Sequence, residues 1–285
     1  MQVELAKTAG FCFGVRRAVE TVYQEVKKNK EGKIYTYGPI IHNDEVIRDL
    51  EEQGVTVLNS QEELENLTEG TVVIRSHGVP EAVCRILDDK GICYVDATCP
   101  FVKKIHRIVK EESENGSHII IIGNGSHPEV VGIRGWAKGP VDVIQNAEEA
   151  AEFTLEKKSR KVCVVSQTTF NYNKFQELVE IITKKGYDII VLNTICNATK
   201  ERQEEAGGIA SRAGAMIVIG DKKSSNTQKL FEICSNACEN TYYIQTLGDL
   251  NVNQLRSVES VGITAGASTP NKIIEEVQNY VRINF

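Results

Sequence analysis

The sequence lacks most of the marks that would place it outside the ordinary globular class. No run of Lys and Arg is long, and 33 basic against 39 acidic residues leave a formal charge of −6. Sequence-independent binding of nucleic acid therefore has little electrostatic footing, and a small-molecule partner is expected. The longest apolar runs, such as HIIIIG at 118–123, fall far short of the roughly 20 residues of a membrane span. The opening residues MQVELAKTAG contain no apolar core of a secretory signal. These absences lead us to expect a cytoplasmic protein with neither nucleic-acid nor membrane partners. No Cys-x-x-Cys pair occurs, so the commonest signature of structural zinc is missing. No Gly-x-Gly-x-x-Gly opens a βαβ unit, so the usual flavin and nicotinamide fingerprint is missing as well.

What the chain does have is eight cysteines in 285 residues. In a reducing compartment these are core residues, metal ligands or redox groups rather than a disulfide framework. One lies in TAGFCFGVRRAVE, between two aromatic residues and two glycines. After it Val15, Ala18, Val19, Val22 and Val26 recur with the period of a helix that buries one face. Cys12 is thus expected at or just before a helix N-terminus, where the dipole favours a thiolate.

The same plan returns twice, in DATCPFVKKIHRIV and NTICNATKERQEEA. In each copy a cysteine (Cys12, Cys99, Cys196) precedes a helical segment with basic residues a turn or more on: Arg16 and Arg17, Lys103 and Lys104, Lys200 and Arg202. The cysteines are 87 and 97 residues apart, a compact domain's worth of chain rather than a solenoid repeat. Beyond each comes an apolar strand, a Gly, a polar loop and a helix start, placing His42, His127 and Ser224-Ser225 at 30, 28 and 28–29 residues from their cysteines. A third element follows in the same order, with His77, Thr168 and Ser268 at 65, 69 and 72 residues. The strand runs VVIRS, IIIIG, VCVVS, IIVL and MIVIG are continuous rather than alternating, as expected of parallel strands covered by helices on both faces. Ligands of such sheets collect beyond the carboxyl ends of the strands, where all these residues fall. Three α/β modules about a pseudo-three-fold axis would bring the cysteines and loops to one cavity.

Three converging thiolates could hold zinc with a further ligand, include a nucleophile, or hold an iron-sulfur cluster. The absence of close cysteine pairs weakens zinc, and Arg17 follows Cys12 too closely for a phosphatase Cys-x5-Arg loop. A cubane with three cysteine ligands would leave one iron open to a substrate oxygen. An isolated cysteine is usually a small core residue, and Cys84, Cys93 and Cys163 are read that way. Cys234 and Cys238 fit a helix face or a surface loop equally. His106 and His118 are read as ordinary hydrogen-bonded residues. His42, His77, His127, Thr168, Ser224, Ser225, Asn226 and Ser268 make a set of donors suited to a phosphate group, with helix capping as the bland alternative for the hydroxyl and amide residues. Glu129, two residues after His127, is the best-placed proton donor, and an ordinary first-turn glutamate is its alternative.

Taken together, AGFCFGVRRAV, GPIIHN, RSHGV, DATCPFV, GNGSHPEVVG, SQTT, KSSNT and AGASTP closely resemble the LytB family of 4-hydroxy-3-methylbut-2-enyl diphosphate reductases, from about residue 3 to residue 281. The resemblance implies a trefoil of three α/β modules with parallel sheets around a 4Fe-4S cluster. The modules would be 14–97, 98–193 and 194–285, the last joined by the N-terminal segment 1–13. Cys12, Cys99 and Cys196 would ligate the cluster and leave one iron open. His42, His77, His127, Ser224, Ser225, Asn226 and Ser268 would hold the diphosphate, Thr168 would sit near the substrate hydroxyl, and Glu129 would deliver protons. The implied reaction is reductive dehydroxylation to isopentenyl and dimethylallyl diphosphate, with a ferredoxin or flavodoxin as electron donor. A non-redox phosphoester-binding α/β protein with a structural metal is the alternative.

Overall fold

The continuous apolar runs become the buried centres of short parallel strands. The computed structural model describes residues 2–29, 32–155, 161–255 and 258–284; the expected outer ends of the first segment and last module, Met1 and Phe285, lie outside them. In chain order the elements are β1 (Gln2–Leu5), α1 (Phe13–Lys28), β2 (Ile34–Tyr37), α2 (Asp44–Glu52), β3 (Val55–Leu58), α3 (Gln61–Glu65), β4 (Thr71–Ile74), α4 (Glu81–Lys90) and β5 (Cys93–Asp96). They continue with α5 (Pro100–Glu114), β6 (His118–Ile122), α6 (Pro128–Arg134), β7 (Val141–Ile144), α7 (Ala147–Glu152), β8 (Val162–Ser166), α8 (Tyr172–Thr183) and β9 (Ile189–Val191). The last are α9 (Asn197–Ala210), β10 (Ala215–Ile219), α10 (Ser225–Ala237), β11 (Thr241–Ile244), β12 (Ser260–Ala265) and α11 (Asn271–Asn284).

The strands form three parallel four-stranded sheets with the orders β3-β2-β4-β5, β7-β6-β8-β9 and β1-β12-β10-β11. The triplication visible in the sequence is thus a triplication of topology. In each sheet the central pair carries the two polar loops, and one edge strand (β5, β9 or β1) leads into a cysteine. Ile119–Ile122 of β6 and Ala215–Ile219 of β10 are wholly buried, because helices cover both faces and leave no solvent side to alternate with. Each Ile, Val or Met among them contributes about 1.5–3 kcal/mol by leaving water.

The chain divides into two compact units, one of Met1–Arg16, His42–Ile47 and Cys196–Phe285 and the other of Arg17–Ile41 and Arg48–Ile195. In the first, β1 lies parallel to β12 and so joins the opening residues to the closing ones; Val3 pairs with Val261 and Leu5 with Ile263. One face of this sheet buries Ile217, Ile219 and Ile263 against Ile273, Ile274 and Val277 of α11. The other buries Met216 and Val218 against Ala206 and Ile209 of α9 and Leu230 of α10. The second unit holds the other two sheets. Here Trp136, just past α6, donates its indole N–H to the Val79 carbonyl at 2.9 Å and stacks on His106 of α5 with centroids 5.2 Å apart. Glu81 of α4 accepts from Lys110 of α5 at 2.8 Å and also pairs with Arg85 and Lys138. These cations hold its carboxyl at about 2.

The cysteines read as inert divide differently from expectation. Cys163 is buried in β8 and Cys84 half-buried in α4, but Cys93 is exposed, because β5 is an edge strand. The surface-loop alternative for Cys234 and Cys238 is overturned. Cys234 lies on the buried face of α10 and Cys238 is its buried C-cap residue, and burial raises the Cys234 thiol to about 12. His106, read as an ordinary hydrogen-bonded residue, is buried with its Nε2 unpartnered, because its ring stacks on Trp136 instead, and burial lowers it to about 4.

Candidate active site

In an open parallel sheet the ligand crevice opens where neighbouring strands send their connections in opposite directions. In two sheets these strand pairs are β2/β4 and β6/β8; β10/β12 is the matching central pair of the third, with β12, the last strand, running into α11. The loops that leave them carry His42 and His77, His127 and Thr168, and Ser224–Asn226 and Ser268.

The cysteines occupy a different repeated position. Cys99 and Cys196 are the N-cap residues of α5 and α9, and Cys12 takes the same place before α1, its carbonyl accepting the Arg16 N–H at 3.0 Å. Several other N-caps carry the oxygen that such a position favours. Ser60, Asn146 and Asn171 each accept from the N3 amide. A thiol is a poor substitute, so helix formation does not call for cysteine at these three points. None of the three helices has an acidic residue in its first turn, whereas α2, α3, α4 and α7 do. The positive ends of the cysteine helices are left for some other anion. All three thiols are half-buried, and no cysteine among the described residues is in a disulfide.

In the first unit Cys12 and Cys196 face one cation. Arg202 of α9 is 4% exposed and donates through Nε to the Thr8 carbonyl at 2.8 Å and through Nη2 to the Gly10 carbonyl at 2.7 Å. Burial lowers its basicity while Cys12, Cys196 and Glu205 raise it. Cys12 N–H reaches the Ala267 carbonyl at 3.4 Å, so the cysteine segment abuts the loop that carries Ser268. Ser268 Oγ donates to Ser224 Oγ at 3.4 Å, and Ser224 caps α10 through a long 3.4 Å bond from Thr227 N–H. Close approach of α10 to its sheet needs Gly266: a Cβ there would meet Thr227 Oγ1 at 2.0 Å. Ser225 and Asn226 make the first turn of α10, which has no acidic residue. Asn226 is 4% exposed, and its amide nitrogen is buried with no hydrogen-bond partner. A helix N-terminus ringed by hydroxyls with one unsatisfied amide donor is a cradle for phosphate oxygens. His42 is half-buried beside Asn43, which caps α2 by accepting from Val46 N–H at 3.0 Å. Asp44 then pairs with Lys223 at 3.3 Å, bringing this segment to the Ser224 loop.

In the second unit a continuous series of contacts runs from Cys99 to Thr168. Cys99 N–H donates to the Ser76 carbonyl at 3.0 Å, beside His77. Gly78 takes φ +73°, and a Cβ there would meet the His106 ring at 2.5 Å, so glycine lets the His77 loop sit on the His106–Trp136 stack. The His77 and His127 rings meet edge to face at 5.4 Å. His127 caps α6, its Nδ1 accepting the Glu129 N–H at 3.1 Å. The neutral ring therefore carries its proton on Nε2. Glu129 is 2% exposed. Its Oε1 accepts the Thr168 N–H at 2.6 Å and its Oε2 meets Thr168 Oγ1 at 2.8 Å. Burial raises its carboxyl to about 7 against the opposing effect of those bonds, so near neutrality it both holds and releases a proton.

Every residue proposed from the sequence lies at a helix start or strand end in one of these two constellations. Among the recurrent basic positions, Arg17 and Arg202 grip main-chain carbonyls that the sequence does not announce. Glu129 and Thr168, 39 residues apart, are direct partners as well; nothing local in either segment announces that contact.

The chain is similar to known diphosphate reductases in both sequence and fold. The 4-hydroxy-3-methylbut-2-enyl diphosphate reductase of Caldanaerobacter subterraneus subsp. tengcongensis is 44% identical over 278 residues, covering 97% of this chain and 95% of its own length. A solved (E)-4-hydroxy-3-methyl-but-2-enyl diphosphate reductase, the terminal enzyme of the non-mevalonate pathway, is 39% identical with TM-score 0.72 over 99% of this chain and all of that one. The E-1-hydroxy-2-methyl-but-2-enyl-4-diphosphate reductase of Plasmodium falciparum superposes with TM-score 0.92 at 28% identity, covering 99% of this chain and 87% of that one. The family described as LytB protein matches residues 3–282, and the chain, with its threefold cysteine-capped helices, belongs to it.

Proposed function

We propose that the chain reduces 4-hydroxy-3-methylbut-2-enyl diphosphate to isopentenyl and dimethylallyl diphosphate, the terminal step of the non-mevalonate pathway, in the cytoplasm. Two electrons and two protons enter, the allylic C–O bond breaks, one C–H bond forms, and water leaves. The observation that carries this reading is the buried Glu129–Thr168 pair, in a chain whose three sheets each lead a cysteine to a helix start. The donor set fits an iron-sulfur cluster: three half-buried thiols at acid-free helix N-termini, two of them beside a buried arginine. Cys12, Cys99 and Cys196 would hold a 4Fe-4S cluster, which when bound supplies single electrons and an iron with an unfilled ligand position.

The protein's own residues do the rest. Ser224, Ser225, Asn226 and Ser268 take phosphate oxygens at the positive end of α10, with Asn226 filling its missing hydrogen bond. His42, His77 and His127 add donors, His127 through Nε2–H. Protonated Glu129 keeps Oε1 as acceptor for the Thr168 amide and donates from Oε2 to Thr168 Oγ1, which turns the Thr168 hydroxyl proton outward. Thr168 can then pass that proton to the substrate hydroxyl and recover one from Glu129, so the departing oxygen leaves as water. Electrons come from a ferredoxin or flavodoxin. The module boundaries 14–97, 98–193 and 194–285, with 1–13 added to the last, belong to the same reading.

Anaerobically purified chain should be coloured, carry iron and sulfide, and turn over the diphosphate substrate with an artificial one-electron donor. Cys12→Ser, Cys99→Ser or Cys196→Ser should strip the colour and the activity, whereas Cys163→Ala should cost only packing, about 1 kcal/mol. A colourless, inactive wild-type chain that still binds the diphosphate would favour a phosphoester-binding protein instead.

A further inference from the structure

The repeat that places the cysteines also places two arginines, and each reaches the segment just before a cysteine other than the one that starts its own helix. Arg202 follows Cys196 on α9 and grips the carbonyls of Thr8 and Gly10, in the loop that ends at Cys12. Three residues further along α9, Glu205 accepts the amides of Lys7 and Thr8 at 2.9 Å each and the Thr8 hydroxyl at 2.6 Å. Arg17 follows Cys12 on α1 and donates to the carbonyls of Thr98 at 3.1 Å and Asp96 at 3.3 Å, in the loop that ends at Cys99. Both arginines sit five or six residues past one cysteine and hold the segment just before another. The third loop is held otherwise: Thr194 Oγ1 donates to the Ser166 carbonyl and accepts the Ser166 amide, both at 2.7 Å. A guanidinium can take two carbonyls of an irregular loop at once, which an ammonium cannot do with one geometry.

We infer that Arg17 and Arg202 are positioning residues that pin the loops before Cys99 and Cys12, so that each thiol is ordered by the helix that starts at a different cysteine. The inference rests on reading the three cysteines as metal ligands. It adds an order of dependence: the Cys12 loop relies on α9, the Cys99 loop on α1, and the Cys196 loop on neither arginine. A donor set ordered in advance loses less conformational freedom when it takes up a metal. Charge alone would not account for the geometry, since the hydrogen bonds go to carbonyls and not to sulfur.

The test is amide hydrogen exchange by mass spectrometry on the full-length, anaerobically purified chain, with iron content measured alongside. Arg17→Gln should speed exchange about tenfold in the segment 96–99 and leave 6–12 and 193–196 unchanged; Arg202→Gln should do the reverse, loosening 6–12 alone. In both, loss of iron to a chelator should quicken several-fold. Arg17→Lys and Arg202→Lys keep the charge and one hydrogen bond and should fall between. Because Arg202 is buried, its Gln variant can fail to fold, and the lysine variants with the half-buried Arg17 then carry the test. Arg212→Gln, which removes an exposed pair with Glu4 in the same unit, should change neither loop. Exchange that rises everywhere, or in no loop, would overturn the inference. Wild-type chain without iron would overturn the metal reading and not the pinning, because exchange reads loop order with or without metal.

Discussion

Glu129 shows how one residue can be read for chemistry and for stability at once. Its carboxyl titrates at about 7 when folded, because burial outweighs two hydrogen bonds from Thr168, and near its ordinary value of 4.5 when unfolded. The folded state therefore binds the proton more tightly, and this contribution to stability is complete below pH 4.5 and lost as pH rises through 7. Glu129→Gln has no such term. In urea titrations from pH 4 to 8, the stability of wild type relative to that variant should fall by about 3 kcal/mol. Turnover tells the other half. The variant keeps shape and a donor but not the transferable proton, so kcat should drop about 10²- to 10⁴-fold with little change in KM. Wild-type activity should decline above pH 7 as the acid form is depleted. Near-normal turnover in the variant would make Glu129 a first-turn helix charge and nothing more. Asn226 makes the complementary case for binding. Its buried, unsatisfied amide predicts that Asn226→Ala raises KM by about 10- to 100-fold while leaving iron content and kcat largely intact. An unchanged KM would remove it from the phosphate site.

At the scale of the element, function and stability pull in opposite directions at the cysteine N-caps. Serine caps a helix better than cysteine because its oxygen accepts the N2 or N3 amide. Cys196→Ser should therefore hold or raise the stability of the iron-free chain, by up to about 1 kcal/mol in urea midpoint analysis, while abolishing iron binding. A clear loss of stability without metal would mean that the thiol is retained for packing. These elements were legible in the sequence: the spacing from Val15 to Val26, the strand runs and the recurrent cysteine-to-loop distances are all local or periodic signals. Cys93 was misread because a cysteine in an apolar strand does not reveal whether that strand lies at an edge. Cys234 and Cys238 were left open because spacing alone does not say whether a neighbouring helix covers them.

At the scale of the whole chain, the parts not legible are contacts between residues far apart in sequence. The Glu129–Thr168 pair and the grip of Arg202 on Thr8 and Gly10 arise only once the sheets exist, and one sequence holds no record of which distant segments meet. The pairing of β1 with β12, which the family resemblance implies but no local signal announces, spans the greatest distance, since Gln2 N–H meets the Glu259 carbonyl at 2.9 Å and Ala6 N–H the Ile263 carbonyl at 2.8 Å. These bonds close a loop of nearly the full chain, whereas the β2/β4 and β6/β8 pairings close loops of some 40 residues. Loop-closure entropy grows with the logarithm of length, and parallel pairing of distant segments forms slowly. The first strand made should thus be among the last placed, with Cys12, seven residues beyond it, ordered at the same time. In refolding followed by pulsed hydrogen exchange, the amides of Gln2 and Ala6 should gain protection after those of β6 and β8. Val3→Pro, which spoils the edge strand, should lower iron binding while leaving early protection of β6 and β8 unchanged. Protection of β1 no later than that of β6 would show that the N-terminal segment docks early, and the long loop would then have no kinetic consequence for the assembly of the Cys12 site.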